Sequence, residues 1–159
     1  MVLCYVDDVL TISHDPMKTI KGIKSVFKLK NDAAEPPEMY LGATLETIKN
    51  AQGVECWSKS SEKYVKAAVE NVEEKLDKSG MRLPSGFKVP ISTAYHPSED
   101  VSKEMDVRGV QYYQELIGVL RWAIEIGRVD IFLEVSLLSS HLAMPRIGHL
   151  QAVYQVSMT

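Results

Sequence analysis

Two apolar runs near the start of the chain, Val2 to Val6 and Val9 to Ile12, are separated only by Asp7 and Asp8. A break that short leaves room for a tight reversal and little else, so the segment is expected to fold as an antiparallel hairpin. The residue pairs favoured in such turns are Asn-Gly, Asp-Gly and Gly-Gly, which tolerate positive φ. Two adjacent aspartates instead set like charges side by side in the bend. One reading is a solvated acidic surface turn. The other is a metal-holding tip, because a hard divalent ion such as Mg2+ takes oxygen ligands, usually one or two carboxylates plus waters. A hairpin suits that role, since its strands hold the carboxylates while its tip projects.

Beyond the hairpin the apolar spacing changes from runs to helical periods. Asp15 and Pro16 form a helix start, aspartate as N-cap and proline at the first helical position. Ile20, Ile23, Val26 and Phe27 fall on one face of the helix that follows. Lys21, Lys24 and Lys28 gather on the opposite face with Lys18 beside them, which reads as a solvated face or as a phosphate-contacting stripe. Residues 31–38 are a polar, proline-bearing loop. Tyr40 to Glu46 reads as a strand whose Gly42 marks a bulge or a close backbone approach. Asn50 to Gly53 makes a turn, and Val54 to Ser58 returns as the partner strand.

From residue 60 onward the helical period dominates. Val65, Ala68, Val69, Val72 and Leu76 form one buried face, with Ser60 or Ser61 to start the helix and Gly80 to end it. Residues 81–108 hold Pro84, Pro90 and Pro97 with little periodicity, and are expected to be a mobile or insert-like loop. Tyr113, Leu116, Ile117, Leu120, Ala123 and Ile124 share the face of a helix that starts at Val110 and ends near Gly127. Asp130 is expected to cap a further helix carrying Ile131, Val135, Leu138 and Leu142 that stops before Pro145. His149 to Val156 opens one more helix. Hairpin, helix, hairpin and then mostly helices is an α+β layout: a β-hairpin/helix portion followed by a mainly helical one.

Composition narrows the function classes. The 159 residues are 45% hydrophobic and 25% charged, as in an ordinary globular domain. A net charge of −3 gives no bulk attraction to nucleic acid or anionic membrane, so any phosphate contact needs a local basic stripe. Cys4 and Cys56 form no CxxC pair, and free thiols in a reducing compartment are the expectation. His14, His96, His141 and His149 share no metal-ligand spacing and read as structural. Trp57, Trp122 and Tyr113 read as core packing rather than base-stacking platforms. No stretch reaches the roughly 18 apolar residues of a membrane span, and the first residues lack the pattern of a signal peptide.

The residues flanking the aspartates carry a resemblance. Tyr5-Val6-Asp7-Asp8 between apolar strands resembles the polymerase signature of reverse transcriptases. After it come Phe27-Lys28-Leu29-Lys30, then Tyr40-Leu41-Gly42, then the Ala51 to Ser58 return strand, in the order of the family's palm end and primer-gripping hairpin. Tyr112-Tyr113-Gln114-Glu115-Leu116-Ile117-Gly118-Val119-Leu120-Arg121-Trp122 resembles the YxxLIGxLxY stretch of the Ty1/copia branch. Gly127-Arg128-Val129-Asp130-Ile131 stands where that branch usually has Thr-Arg-Pro-Asp-Ile, and Ser139 to Pro145 with His149-Leu150 match its LSxxxxxPxxxHL segment. In order and in coverage, from residue 2 to about 156, the chain resembles a Ty1/copia-type retrotransposon reverse transcriptase, its C-terminal palm plus thumb.

That resemblance implies residues 1–58 as a partial palm, 59–144 as a thumb-like helical region containing the 81–108 loop, and 145–159 as the start of a connection region. It implies Asp7 as the more direct metal ligand and Asp8 as the second carboxylate of a two-Mg2+ site. Tyr5 and Val6 would lie under the primer terminus. Tyr40, Leu41 and Gly42, in the hairpin of 39–46 and 54–58, would grip the primer. The helices of 60–79 and 110–142 would clamp the duplex by shape rather than sequence, with Lys63 and Lys66 reaching backbone phosphates. The implied partners are an RNA/DNA template–primer duplex, a deoxynucleotide triphosphate (dNTP), and the fingers, RNase H and integrase portions of a Pol polyprotein, with no membrane. The implied location is the cytoplasm and a virus-like particle. The family's third carboxylate, on an upstream palm strand, and its basic fingers have no counterpart here, and Met1 leads straight into a strand. The chain is therefore expected to be a piece of a longer polypeptide and inactive alone. A non-catalytic nucleic-acid- or protein-binding module, or a decayed retroelement remnant, are the alternatives.

Overall fold

In the computed structural model, which describes residues 1–29, 34–78, 80–83 and 89–158, the chain divides between Ser60 and Ser61 into two compact units. Helices and strands are both present, and the fold is α+β.

The first unit begins with the hairpin of β1 (Val2–Tyr5) and β2 (Asp8–Thr11). Tyr5 pairs with Asp8 and Cys4 with Val9, so the two turn residues are Val6 and Asp7, not Asp7 and Asp8. This register takes Asp8 out of the bend and into the strand, so the bend holds one carboxylate instead of two. Helix α1 (Pro16–Lys24) starts as expected, the Asp15 carboxylate accepting the Lys18 N–H at 3.1 Å. It ends at Lys24, before the expected helical positions Val26, Phe27 and Lys28. The Ser25 hydroxyl bonds the Gly22 carbonyl at 2.7 Å, and the Val26 N–H turns to Ile23 instead. Val26 and Phe27 thus lie beyond the helix and are exposed, and the expected four-residue face reduces to Ile20 and Ile23. Lys30 and most of the expected 31–38 loop's first half lie outside the described residues.

Strands β3 (Met39–Tyr40), β4 (Ala43–Lys49) and β5 (Glu55–Ser60) form an antiparallel sheet in that order. The single strand expected over 40–46 is in fact two, because Tyr40 pairs with Ala43 across a two-residue turn at Leu41-Gly42. Both turn residues have positive φ, 53° and 85°, the pattern of a type I′ hairpin, so Gly42 serves a turn rather than a bulge. The next turn is closed by Asn50, whose side-chain oxygen accepts the N–H groups of Gln52 and Val54. Among the described residues of this unit, Ala43 alone is buried. Trp57, expected in a core, is 56% exposed because β5 turns its half-buried face through Cys56, Ser58 and Ser60.

The second unit packs four helices, α2 (Glu62–Asp77), α3 (Val107–Glu125), α4 (Phe132–Ser139) and α5 (Ile147–Ser157). Its core joins Val72 and Leu76 of α2, Tyr113, Leu116, Ile117 and Leu120 of α3, Val135 and Leu138 of α4, and Ala152, Val153 and Val156 of α5. On α3 the face expected from periodicity is the face that is buried. The helix begins three residues earlier than expected, because the Asp106 carboxylate accepts the Gly109 N–H at 2.8 Å and caps it. Its end is a Schellman arrangement, with Gly127 N–H to Ile124 and Arg128 N–H to Ala123.

Two further expectations are corrected in this unit. Asp130 does not cap α4. It lies in a short 3-10 turn (Val129–Ile131) and takes a two-pronged ion pair from Arg128 at 2.9 Å. α4 stops at Ser139, where the Ser139 and Ser140 hydroxyls bond back to Val135 and Leu137. Within 145–158, α5 contributes Ala152, Val153 and Val156 to the unit's core.

Candidate functional site

The tip of the first hairpin is built by β1 and β2. Val6, the first turn residue, has φ 52° and is 92% exposed. A two-residue turn with positive φ at its first position is the type II′ pattern that normally selects glycine there. A β-branched side chain in that conformation carries strain on the order of 1–3 kcal/mol. Asp7 follows it in the turn and Asp8 opens β2, both exposed, and Tyr5 closes β1.

The primer-grip candidates sit in the same unit. Tyr40 is half-buried at the end of β3, and Leu41 and Gly42 make the turn after it. Burial pushes the Tyr40 phenol above its ordinary pKa, and the nearby Cys4 and Asp8 push it the same way. Leu41, like Val6, is a non-glycine residue at positive φ, and these two are the ones with that backbone among the described residues. One falls in each of the two motifs.

Two neighbouring exposed carboxylates fit the donor set of Mg2+, which accepts one or two carboxylates and fills its shell with water. Among the described residues no group of three His, Cys, Asp or Glu side chains comes together as a fuller metal site. Asp7 and Asp8 are the residues that would hold such an ion.

The phosphate-contact candidates belong to the second unit. Lys63 is exposed in the first turn of α2. Lys66 is engaged by Glu62 at 2.6 Å, which holds the Glu62 carboxyl below its ordinary pKa and the Lys66 ammonium above its own. Lys78 pairs with Glu74, and Lys75 lies 3.4 Å over the Tyr112 ring and 3.8 Å from Glu115. α2 thus presents mixed charge with internal pairing rather than a basic stripe.

A polar cluster that sequence reasoning did not assemble lies in the second unit. The loop expected to be mobile is tied down over its described part. Asp100 accepts the Tyr95 hydroxyl at 2.6 Å and the Ser102 N–H at 2.7 Å. Burial pushes the Asp100 carboxyl up, but the bonds from Ser102 and Tyr95, with His149 nearby, outweigh it and leave it below the ordinary range. Arg146 donates to the Ser102 carbonyl at 2.5 Å and to Glu104 at 2.9 Å. His149 is only 2% exposed. Its Nδ1 accepts the Arg146 N–H at 2.9 Å and its Nε2 meets the Pro97 carbonyl at 2.8 Å. These two partners require the neutral tautomer with the proton on Nε2. The cluster has no local signature, because its members come from positions 95–104 and 141–149.

Comparison with protein-family models, with curated proteins and with solved structures finds no match to this chain. Among the described residues no helix is long and apolar enough to cross a membrane. Cys4 and Cys56 are free thiols, Cys4 exposed and Cys56 half-buried.

Proposed function

We propose that the chain is part of a Ty1/copia-type reverse transcriptase, an RNA-directed DNA polymerase, with residues 1–60 carrying its aspartate hairpin and primer-gripping turn. The observation that carries this reading is the pairing of backbone strain with motif. A left-handed, non-glycine residue carries backbone strain, and such positions cluster at functional sites. Val6 lies beside Asp7 and Asp8, and Leu41 lies beside Tyr40 and Gly42.

In this reading Asp7 and Asp8 would hold Mg2+, which would supply charge stabilisation for the attacking and leaving oxygens of nucleotidyl transfer. Tyr5 and Val6 present a rigid platform under the primer terminus, and Leu41-Gly42 offers backbone groups to the primer strand. The helical unit holds the template–primer duplex by shape, with Lys63 the exposed cation at the start of α2. The dNTP site, the third carboxylate and the remaining Pol portions are supplied outside these residues, and the location is the cytoplasm and a virus-like particle.

Primer extension tests the reading. The chain alone is expected to incorporate no nucleotide on an RNA template, and robust Mg2+-dependent incorporation would overturn the incompleteness of its site. Extended by its in-frame upstream coding sequence, it is expected to gain activity that Asp7→Asn and Asp8→Asn each reduce to background. Activity indifferent to both substitutions would remove the aspartates from the site. An upstream frame with no aspartate-bearing strand would remove the polymerase reading itself.

A further inference from the structure

We infer that His149 and His141 form an acid-operated latch, which holds the 95–105 segment on the N-terminal turn of α5 when both rings are neutral and releases it when the pair takes up a proton. The segment is a strap. Besides the Pro97 carbonyl on His149, it is joined to the start of α5 by Ile147 N–H to the Lys103 carbonyl at 3.0 Å, Gly148 N–H to the Ser102 hydroxyl at 2.9 Å, and Met105 N–H to the Pro145 carbonyl at 3.2 Å. Gly148 also admits the Asp100 carboxylate so closely that a Cβ there would run into it.

His149 sits where a positive charge is least welcome. It occupies the first turn of α5, and its Nδ1 lone pair reaches back to the Arg146 N–H, one half of a capping box. An imidazolium would carry hydrogen on Nδ1 as well, turning that acceptor into a second donor facing the Arg146 N–H. It would also place a cation at the positive end of the helix dipole. The ring of His141 stacks on it, centroids 4.2 Å apart and planes 27° apart, so two charges there would repel at contact. Burial pushes His141 below the ordinary histidine pKa, and His149 pushes it further, while Asp100 opposes both.

The other groups facing the pair offset this conflict only in part. From the strap, the Asp100 carboxylate faces the pair and its charge opposes the conflict, while its two oxygens stay bonded to Tyr95 and Ser102. Glu104 pairs with Arg146. From α3, Tyr113 faces His149 at 6.4 Å between ring centroids, and its hydroxyl donates to the Leu138 carbonyl. Arg146 adds a further positive charge at the same turn. A strap held by a few peripheral bonds, with Val101 at its centre fully in solvent, is the sort of segment that opens locally without global unfolding.

Amide hydrogen exchange on the full chain, corrected for intrinsic chemistry, tests the latch. Between pH 7.5 and 5.0 the Ser102, Met105, Ile147 and Gly148 amides are expected to lose protection by about tenfold or more, while Leu120 and Ala123 of α3 keep theirs. His141→Phe keeps the stacked ring but not its charge, and is expected to move the pH midpoint of release. The His141 imidazole resonances of the unsubstituted protein give a second readout that needs no variant, and are expected to titrate at the midpoint of strap release. The inference is overturned if those four amides keep their protection at pH 5.0 or if α3 loses protection at the same midpoint. A midpoint unmoved in folded His141→Phe, or imidazole titration at a different pH from release, overturns it equally.

Discussion

The two units are made from similar alphabets but hold together differently. In residues 1–60 one described side chain, Ala43, is buried, and the order comes from hairpin ladders and turns. From Ser61 on, α2 to α5 interlock around twelve buried residues, and Tyr113, Ile117, Val135, Leu138, Val153 and Val156 are essentially out of solvent. Ladder hydrogen bonds exchange one partner for another and stabilise modestly, whereas apolar burial is the dominant favourable term. The first unit therefore has exposed strained turns and little core to hold them. The second has core to spare and keeps its polar cluster near it.

The sharpest way to break this contrast is a matched pair of truncations. Leu138→Ala is expected to cost about 2–5 kcal/mol in denaturant unfolding of the helical unit. Leu45→Ala on half-buried β4 is expected to cost less than about 1 kcal/mol in the first unit. Equal costs would mean that the first unit has a core the static packing does not reveal. Next in size, Tyr113→Phe leaves the packing but removes the hydroxyl that donates to the Leu138 carbonyl at 2.8 Å, leaving that carbonyl the His141 N–H at 3.1 Å. It is expected to cost about 0.5–1.5 kcal/mol by the same measurement.

The strained turn predicts the opposite sign. Val6→Gly is expected to stabilise the first hairpin by about 1 kcal/mol, because relief of positive φ outweighs the added freedom of the unfolded chain. Slower amide exchange at Leu10 would show it, and faster exchange would mean that Val6 is not strained.

The smallest effect belongs to an exposed pair. Arg128→Ala removes the ion pair to Asp130 and is expected to cost under about 1 kcal/mol. The hydrogen bond from Arg128 holds the Asp130 carboxyl below its ordinary value, against the opposing effect of burial. A carboxyl lowered in the folded state contributes stability that is present above its unfolded pKa, near 3.9, and is lost as pH falls through the folded value. The difference between parent and Arg128→Ala is thus expected to be full at pH 6 and to shrink below about pH 4. A difference that grows on acidification would sink that account.

Much of the helical unit was legible before any coordinates. Tyr113, Leu116, Ile117, Leu120 and Ala123 recur at the helical period, and that period alone names the face that must leave water. Gly80 and Gly127 likewise mark helix ends through chemistry carried by the residue itself. The first hairpin was legible as a hairpin but not in its register. Asp7-Asp8 looked like the turn because polar residues favour turns, yet pairing Tyr5 with Asp8 moved the bend to Val6-Asp7. The start of α3 at Val107 falls three residues before the expected Val110, because Asp106 sits in a stretch whose prolines read as loop.

The sequence by itself determined the α+β class, the periodic faces of α2 and α3, and the presence of two adjacent carboxylates at a reversal. The tertiary structure alone decided the residues at the bend, the split of the 40–46 strand at Leu41-Gly42, and the fixing of the 95–105 strap to α5. Periodicity is a property of near neighbours and can be read along the chain. Strand register and the bonds that join Ser102, Glu104 and Pro97 to Arg146 and His149, between residues 42 to 52 positions apart, exist only after the elements have packed.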